Sequence, residues 1–293
     1  MQLDHVGLVT HDLAQLRQRW MRLGFAPTAI RDLYRLDPQS GERIALGQRS
    51  CHAVFAQSYV ELSEVTTTDT AHHLATWQAR GPGLDILALS SSQLPAHHAR
   101  LAQGPCAMTP LANASRHIDY GRLQGDAQFS WCMLAPSESP EGLVCLMQHL
   151  SAELVYQAEV QHHPNGALAL EEILISTPAA DLAAMSARYQ TLLGLQALPR
   201  ADGGVVFELA HGRVSLVPPS VPDVSLPRLD GQAHFAALVI SVKDIEQAAS
   251  VLRDEGVAFL RQRSVDPVSP PVQLMIDEAD VGGARLILRQ AHA

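Results

Sequence analysis

The sequence predicts an α+β protein made of four βαβββ modules, arranged as two tandem domains at residues 1–160 and 168–293. Three observations lead there. An alternating apolar–polar stretch followed by an Asp-initiated amphipathic helix recurs along the chain. The spacing from that aspartate to a helix-ending glycine is nearly constant: Asp12 to Gly24, Asp181 to Gly194 and Asp244 to Gly256 span 12, 13 and 12 residues. A turn signal, Pro164-Asn165-Gly166, separates the copies into pairs.

In the first copy, Leu3 to Thr10 alternates like a half-buried strand. Asp12-Leu13 then opens a helix with Leu13, Leu16, Trp20 and Leu23 at helical spacing, stopped by Gly24, which tolerates the left-handed C-cap conformation. Extended segments follow at about 28–36, about 44–56 and Ser58 to Val65. A fainter second copy runs from the strand Leu84–Ser90 through a helix from Gln93-Leu94 to Gly104, and ends in the strand Gly142–Gln148. The third opens with Leu170–Thr177 and the helix from Asp181-Leu182 to Leu193-Gly194. The fourth opens with Phe235–Ser241 and the helix from Asp244-Ile245 to Glu255-Gly256. Gly203-Gly204 and Gly282-Gly283 read as hairpin turns. A helix of about three turns covers one face of a four-stranded sheet, so the other face must pair or line a cavity.

Composition removes several classes. Of 293 residues, 47% are hydrophobic, enough for each domain to have its own core and too many for a mainly disordered chain. A net charge of −9 argues against a nucleic-acid binder. Lys243 is the sole lysine, which disfavours Schiff-base chemistry. No apolar run approaches the roughly 18–20 residues of a membrane span, and no basic-then-apolar leader is visible. The scattered cysteines Cys51, Cys106, Cys132 and Cys145 form no CxxC pair. A reduced, soluble, cytoplasmic protein is expected. GxSxG, P-loop and HExxH patterns are missing.

The stretches Leu3-Asp4-His5-Val6-Gly7-Leu8-Val9, Asp12-Leu13, Leu23-Gly24-Phe25 and Tyr59-Val60-Glu61-Leu62 resemble the first module of the vicinal-oxygen-chelate (VOC) superfamily. That superfamily includes glyoxalases, extradiol dioxygenases and bleomycin-resistance proteins. More narrowly, Gln148-His149-Leu150-Ser151-Ala152-Glu153-Leu154-Val155-Tyr156 with His163-Pro164-Asn165-Gly166-Ala167 resembles the glyoxalase-like domain family. The resemblance spans essentially the whole chain. It implies two VOC-type domains and, in the cleft of the first, a divalent ion (Fe, Mn, Zn or Ni) held from first and fourth strands. Carried over, His5 takes the first-strand position and Glu61 the fourth-strand one, with Glu61 also the candidate catalytic base. His149 is the expected third ligand, although Cys145 aligns best with Glu61. Gln148, on the other face unless a bulge intervenes, stands in reserve; with Cys145 and Trp131 it is a candidate substrate contact.

Several residues have blander readings. Ile86 stands at the second module's first-strand ligand position and cannot bind metal. The His162-His163 pair belongs to the interdomain turn, and His72-His73 and His97-His98 read as solvated surface. Glu172 matches His5 in the third module but lacks a partner carboxylate, while the fourth offers Ala236 and Arg285 to Arg289, so the second domain is expected to carry no ion. The function expected is a metal-dependent lyase, isomerase or dioxygenase of glyoxalase type, acting on a small oxygenated substrate. The alternative is a metal-free binder of small molecules, suggested by Ile86 and the apolar set Trp131, Met133, Cys145 and Met147. A homodimer is a further expectation.

Overall fold

Each of the four copies folds as a strand, a helix and three more strands. The computed structural model describes residues 1–37, 39–104, 106–219, 231–262 and 272–291. The first module comprises β1 (Gln2–Thr10), α1 (Leu13–Arg22), β2 (Arg31–Leu36), β3 (Arg43–Val54) and β4 (Tyr59–Val65). After the short α2 (Ala75–Gln78), the second comprises β5 (Gly83–Ser90), α3 (Leu94–Ala102), β6 (Ala112–Ile118), β7 (Gly125–Met133) and β8 (Leu143–His149). The connection to the second half carries α4 (Ala152–Val155). The third module is β9 (Ala167–Ser176), α5 (Leu182–Leu193), β10 (Leu198–Pro199), β11 (Val205–Glu208) and β12 (Arg213–Val217). The fourth is β13 (His234–Val242), α6 (Ile245–Asp254), β14 (Phe259–Gln262), β15 (Gln273–Ile276), α7 (Glu278–Val281) and β16 (Arg285–Gln290).

The helices start where side-chain chemistry makes starting cheap. The Asp12 carboxylate accepts the Gln15 N–H, and Asp244 accepts those of Glu246 and Gln247, satisfying amides that have no partner within the helix. Asp181 makes no such bond; α5 is fixed instead by its buried Met185, Tyr189, Leu192 and Leu193 and by the left-handed Gly194 that ends it. The Gly282-Gly283 pair is not a simple hairpin turn. Gly282, at φ +107°, terminates α7, a helical turn inserted between β15 and β16.

In the first half the strands close into a barrel in the order β1-β4-β3-β2-β6-β7-β8-β5. Within each module the first strand runs parallel to the fourth, and the modules join through β1–β5 and β2–β6. The second half is an eight-stranded sheet, β10-β11-β12-β9-β13-β16-β15-β14, joined through β9–β13. Helix-facing residues of both halves merge into one core, including Leu3, Leu8 and Trp20 from the first and Ile173, Leu238 and Leu286 from the second. Polar groups stitch the same seam: the Trp20 indole N–H donates to the Val281 carbonyl at 3.0 Å and the Asn165 amide to the Leu23 carbonyl at 2.9 Å. A separate apolar set, including Ile86, Met133, Leu143, Cys145 and Met147, faces the barrel interior.

Candidate functional site

The chemistry of the barrel begins with a slip in strand register. Along β1, Leu3 pairs with Leu89 and His5 with Ala88, so Asp4 is an extra residue, a β-bulge. Strict alternation would put Asp4 and His5 on opposite faces. The bulge lets both turn inward, while Leu3, Val6 and Leu8 stay in the helix-facing core. His5 lines the cavity and stacks on the Tyr59 ring, with centroids 4.3 Å apart. Its Nδ1–H donates to Asp4 Oδ1 at 2.8 Å, which leaves the Nε2 lone pair directed elsewhere. That atom lies 3.6 Å from Glu61 Oε2.

Glu61 comes from β4, beside Gly7 of β1. Its Oε1 accepts from the Ser63 hydroxyl at 2.8 Å and from the Gln48 amide at 3.1 Å. The Gln48 carbonyl in turn accepts from His73 Nε2 at 2.9 Å. This corrects the expectation for His72-His73: His73 lines the cavity rather than solvent, and burial pushes its pKa down to about 3. Glu61 is thus oriented from one side, with Oε2 left toward His5.

His149 and Gln148 lie apart from that pair. Period-two alternation on β8 puts Leu143, Cys145, Met147 and His149 on one face, and the first three line the cavity. His149, at the strand end, directs Nε2 to Asp4 Oδ2 at 3.1 Å, and the Tyr156 hydroxyl donates to the same oxygen at 3.0 Å. Asp4 is fully buried. Burial alone would raise its carboxyl pKa, but the charges and hydrogen bonds of His149 and His5 outweigh it and hold the group well below the usual carboxylate range. Asp4, His149 and Tyr156 therefore form the support behind His5. Gln148 pairs with Ser130 of β7 and is not among the cavity-lining residues.

The cavity is partly open, and the roughly 560 Å³ of non-atom space around it includes solvent at its mouth. Leu33, Ile86, Phe129, Trp131, Leu143 and Met147 give it apolar walls. Trp131, expected there, sits edge-on to His73 at 5.1 Å, and its indole N–H has no partner among the described residues. Cys145 also lines the space, and burial pushes its thiol pKa well up, so it is protonated at neutral pH. Arg116 of β6, Gln48 and Tyr59 complete the polar lining; none was singled out in the sequence.

These positions can be tested against the ion that the resemblance implies. Among first- and fourth-strand positions, His5 and Glu61 are donors, Ile86 is not, and Cys145 is a buried thiol. His149 is committed to Asp4. Among the described residues, no group of three or more His, Cys, Asp and Glu side chains is arranged to hold a metal ion. Two donors do not make a resident metal site, since stable sites in proteins use three or four.

In the second half, Glu172 is enclosed by guanidinium groups: Arg200 at 3.1 Å, Arg213 at 3.0 Å and Arg289 at 3.5 Å, with the Ser215 hydroxyl at 2.6 Å. A carboxylate so engaged is a structural ion cluster rather than an open ligand. The cysteines of the chain are all free and buried. No helix among the described residues is long and apolar enough to cross a membrane.

Comparison with known proteins matches this architecture. The model of the glyoxalase-like domain matches residues 3–193, and that of the glyoxalase/bleomycin resistance protein/dioxygenase superfamily matches residues 174–270. No curated protein matches. Among solved structures, a hypothetical protein from Staphylococcus aureus is 9% identical, with 99% of each chain covered and a TM-score of 0.63. A variant of 4-hydroxymandelate synthase from Streptomyces coelicolor is 14% identical (98% of this chain, 92% of that one; TM-score 0.61). A catechol 2,3-dioxygenase is 11% identical (99% and 87%; TM-score 0.57). At such identities the likeness shows the fold alone. With the first match covering most of its length, the chain belongs to the glyoxalase-like domain family, within the VOC superfamily.

Proposed function

We propose that this member of the glyoxalase-like family is an enzyme that moves a proton on a small oxygenated molecule held in the barrel cavity, with His5 and Glu61 as the reactive pair. The observation that carries the reading is the approach of His5 Nε2 and Glu61 Oε2 to 3.6 Å on the cavity wall, each braced from behind. Both atoms are acceptors when His5 is neutral, and two acceptors face each other stably only with a hydrogen or cation between them. A substrate C–H next to a carbonyl is too large for that gap, so it would dock beside the pair and hand its proton to one of the two acceptors.

In the forward step the C–H bond breaks and its proton passes to His5 Nε2 or Glu61 Oε2. The electron pair moves toward the carbonyl oxygen, giving an enol or enolate that is reprotonated on the same carbon as exchange. In an α-hydroxycarbonyl compound the carbonyl oxygen takes up a proton to give an enediol. The original hydroxyl then loses its proton to become the new carbonyl, and return of the proton to the former carbonyl carbon completes an isomerisation. Asp4 favours the His5 tautomer with the proton on Nδ1 and stabilises the imidazolium formed on proton uptake. Gln48 and Ser63 hold Glu61 in one rotamer. The closed barrel and its apolar walls limit water around the pair, which strengthens each electrostatic contact. Oxygen-activating chemistry would need a further donor, which the described residues do not bring to His5 and Glu61.

The test is deuterium incorporation, followed by NMR in D₂O, across a panel of small 2-oxo acids and hydroxyketones. Wild type is expected to exchange a carbonyl-adjacent hydrogen in at least one compound, and H5A or E61Q to slow it by about 10²–10⁴-fold. No exchange in the whole panel, or exchange unchanged in both variants, refutes the reading. Metal analysis of the same preparations adds a second arm. A stoichiometric ion in wild type that is lost from an H5A/E61A double variant would replace it with metal chemistry.

A further inference from the structure

We propose that the molecule bound in this cavity carries a carboxylate, and that Arg116 receives it. The inference rests on the reading of the barrel cavity as a small-molecule site and names the class of molecule it takes. Arg116 sits on β6 between Leu33 of β2 and Ala127 of β7, with only 6% of its surface exposed. Burying a guanidinium costs several kcal/mol on the order-of-magnitude scale of ion desolvation unless an anion accompanies it. None of the ion pairs among the described residues includes Arg116. Its Nη1 donates to His52 Nε2, and an imidazole that accepts this bond is neutral; burial, then the Arg116 charge, holds its pKa well below the usual histidine range. The guanidinium carbon stands 5.7 Å from the Tyr59 ring centroid, and the Tyr120 phenol lies beside the guanidinium, which acts on it through charge and a side-chain hydrogen bond. Its Nε–H has no hydrogen-bond partner among the described residues.

An arginine held this way, on the wall of a cavity, is preorganised for an anion that comes from outside the chain. The second orphan donor on the same wall, Trp131 Nε1, adds to the demand for an acceptor-rich group. The cavity also holds the Glu61 carboxylate, which already offsets the one guanidinium. A monoanion therefore leaves a single excess negative charge and a dianion such as phosphate leaves two, which favours the monoanion of the two. A planar carboxylate matches the paired N–H fork of arginine. The remaining walls are apolar, which suits a short aliphatic or aromatic body. A compact monocarboxylic acid is the molecule these features describe.

The experiment compares acids with their neutral amides: benzoate with benzamide, phenylacetate with phenylacetamide, and isobutyrate with isobutyramide, by titration calorimetry at pH 7. Wild type is expected to bind at least one acid more tightly than its amide. R116Q should weaken that acid on the order of 30-fold and leave the amide unchanged, the range for losing one partner of a buried charge pair, while R116K retains part of the preference. Unliganded R116Q loses the hydrogen bond to His52 but no ion pair among the described residues, so it should melt only slightly lower than wild type. If no acid outbinds its amide, or R116Q leaves the acid affinity unchanged, the assignment is overturned. So it is if R116Q melts several degrees lower while keeping the acid preference. Acid preference lost in R116Q, with no hydrogen exchange in any compound, keeps Arg116 and removes the proton-transfer reading. Exchange without acid preference does the reverse.

Discussion

Asp85 and Asp4 occupy the same place in two copies of the repeat, yet burial ends differently for them. Asp85 is the extra residue of a bulge in β5, where Gly7 pairs with Ile86 and Leu8 with Leu84. It is 7% exposed, its Oδ2 has no hydrogen-bond partner among the described residues, and the charge that acts on it is Arg80. Burial therefore prevails and pushes its carboxyl from 3.8 up to about 7. A move of that size makes the charged form about 4 kcal/mol less favourable in the fold than in the open chain. The folded state binds the extra proton between pH 3.8 and about 7, so the Asp85 contribution is fully present below 3.8 and is lost as pH rises through about 7. Asn mimics the protonated form and does not titrate. Urea unfolding of wild type and D85N from pH 4.5 to 8.5 should give curves that diverge with rising pH. The variant gains up to about 4 kcal/mol by pH 8, with a steepest slope of about 1.4 kcal/mol per pH unit. Parallel curves across that range would mean the Asp85 carboxylate is ionised and satisfied in the fold, and the reasoning from its isolation fails.

Asp4 has the opposite sign: its carboxyl is held below the ordinary value, so its contribution is present above about pH 3.8 and lost as pH falls. D4N should cost about 3–5 kcal/mol at pH 7 by chemical denaturation, the range for breaking a buried pair, and a loss under about 1 kcal/mol would show that His5 and His149 do not depend on it. Gly7→Ala should cost about 1–3 kcal/mol, because the added Cβ meets Ile86 Cδ1 at 2.7 Å where β1 and β5 approach; an unchanged melting curve would refute the close approach. Trp20→Phe removes the donor to the Val281 carbonyl and should cost about 1–3 kcal/mol. Because the core is continuous, hydrogen exchange should speed up in β13 as well as β1; a change confined to the first half would show the halves to be uncoupled.

The architecture was legible because each module repeats the same local physics: an apolar strand, a helix begun near an aspartate, a glycine that ends it. The convergence of His5 and Glu61 could be expected from the resemblance and from inward-facing positions on a first and a fourth strand. What alternation could not give is the bulge at Asp4, because a one-residue slip leaves no compositional trace and yet decides which side chains look inward. Reading β1 with strict alternation puts Leu3 on the face of His5 and turns Asp4 away, and Asp4 is the residue that orients both histidines. Arg116, Gln48 and His73 were hidden for another reason. They come from middle strands and a connecting segment, where a polar residue between polar neighbours reads as solvent-facing until the barrel closes over it.

The four copies also show why the proposed reactive pair arises in the first of them. Each first strand carries a bulge followed by the inward residue: Asp4 then His5, Asp85 then Ile86, Glu171 then Glu172, Ala236 then Ala237. The bulge in β13 corrects the sequence alignment there, making Ala237 rather than Ala236 the counterpart of His5. Beside them on the fourth strands stand Glu61, Cys145, Ser215 and Ile287 in the equivalent registers. Only the first pair couples a group that can take a proton to a carboxylate left open on one oxygen. In the third, the carboxylate faces a hydroxyl and is enclosed by arginines, so its charge is spent on structure. In the second and fourth, the inward residues are apolar or a protonated thiol, and they supply wall instead of chemistry. The backbone that aims side chains inward is shared by every copy, so the proposed chemistry depends on what each copy places on it.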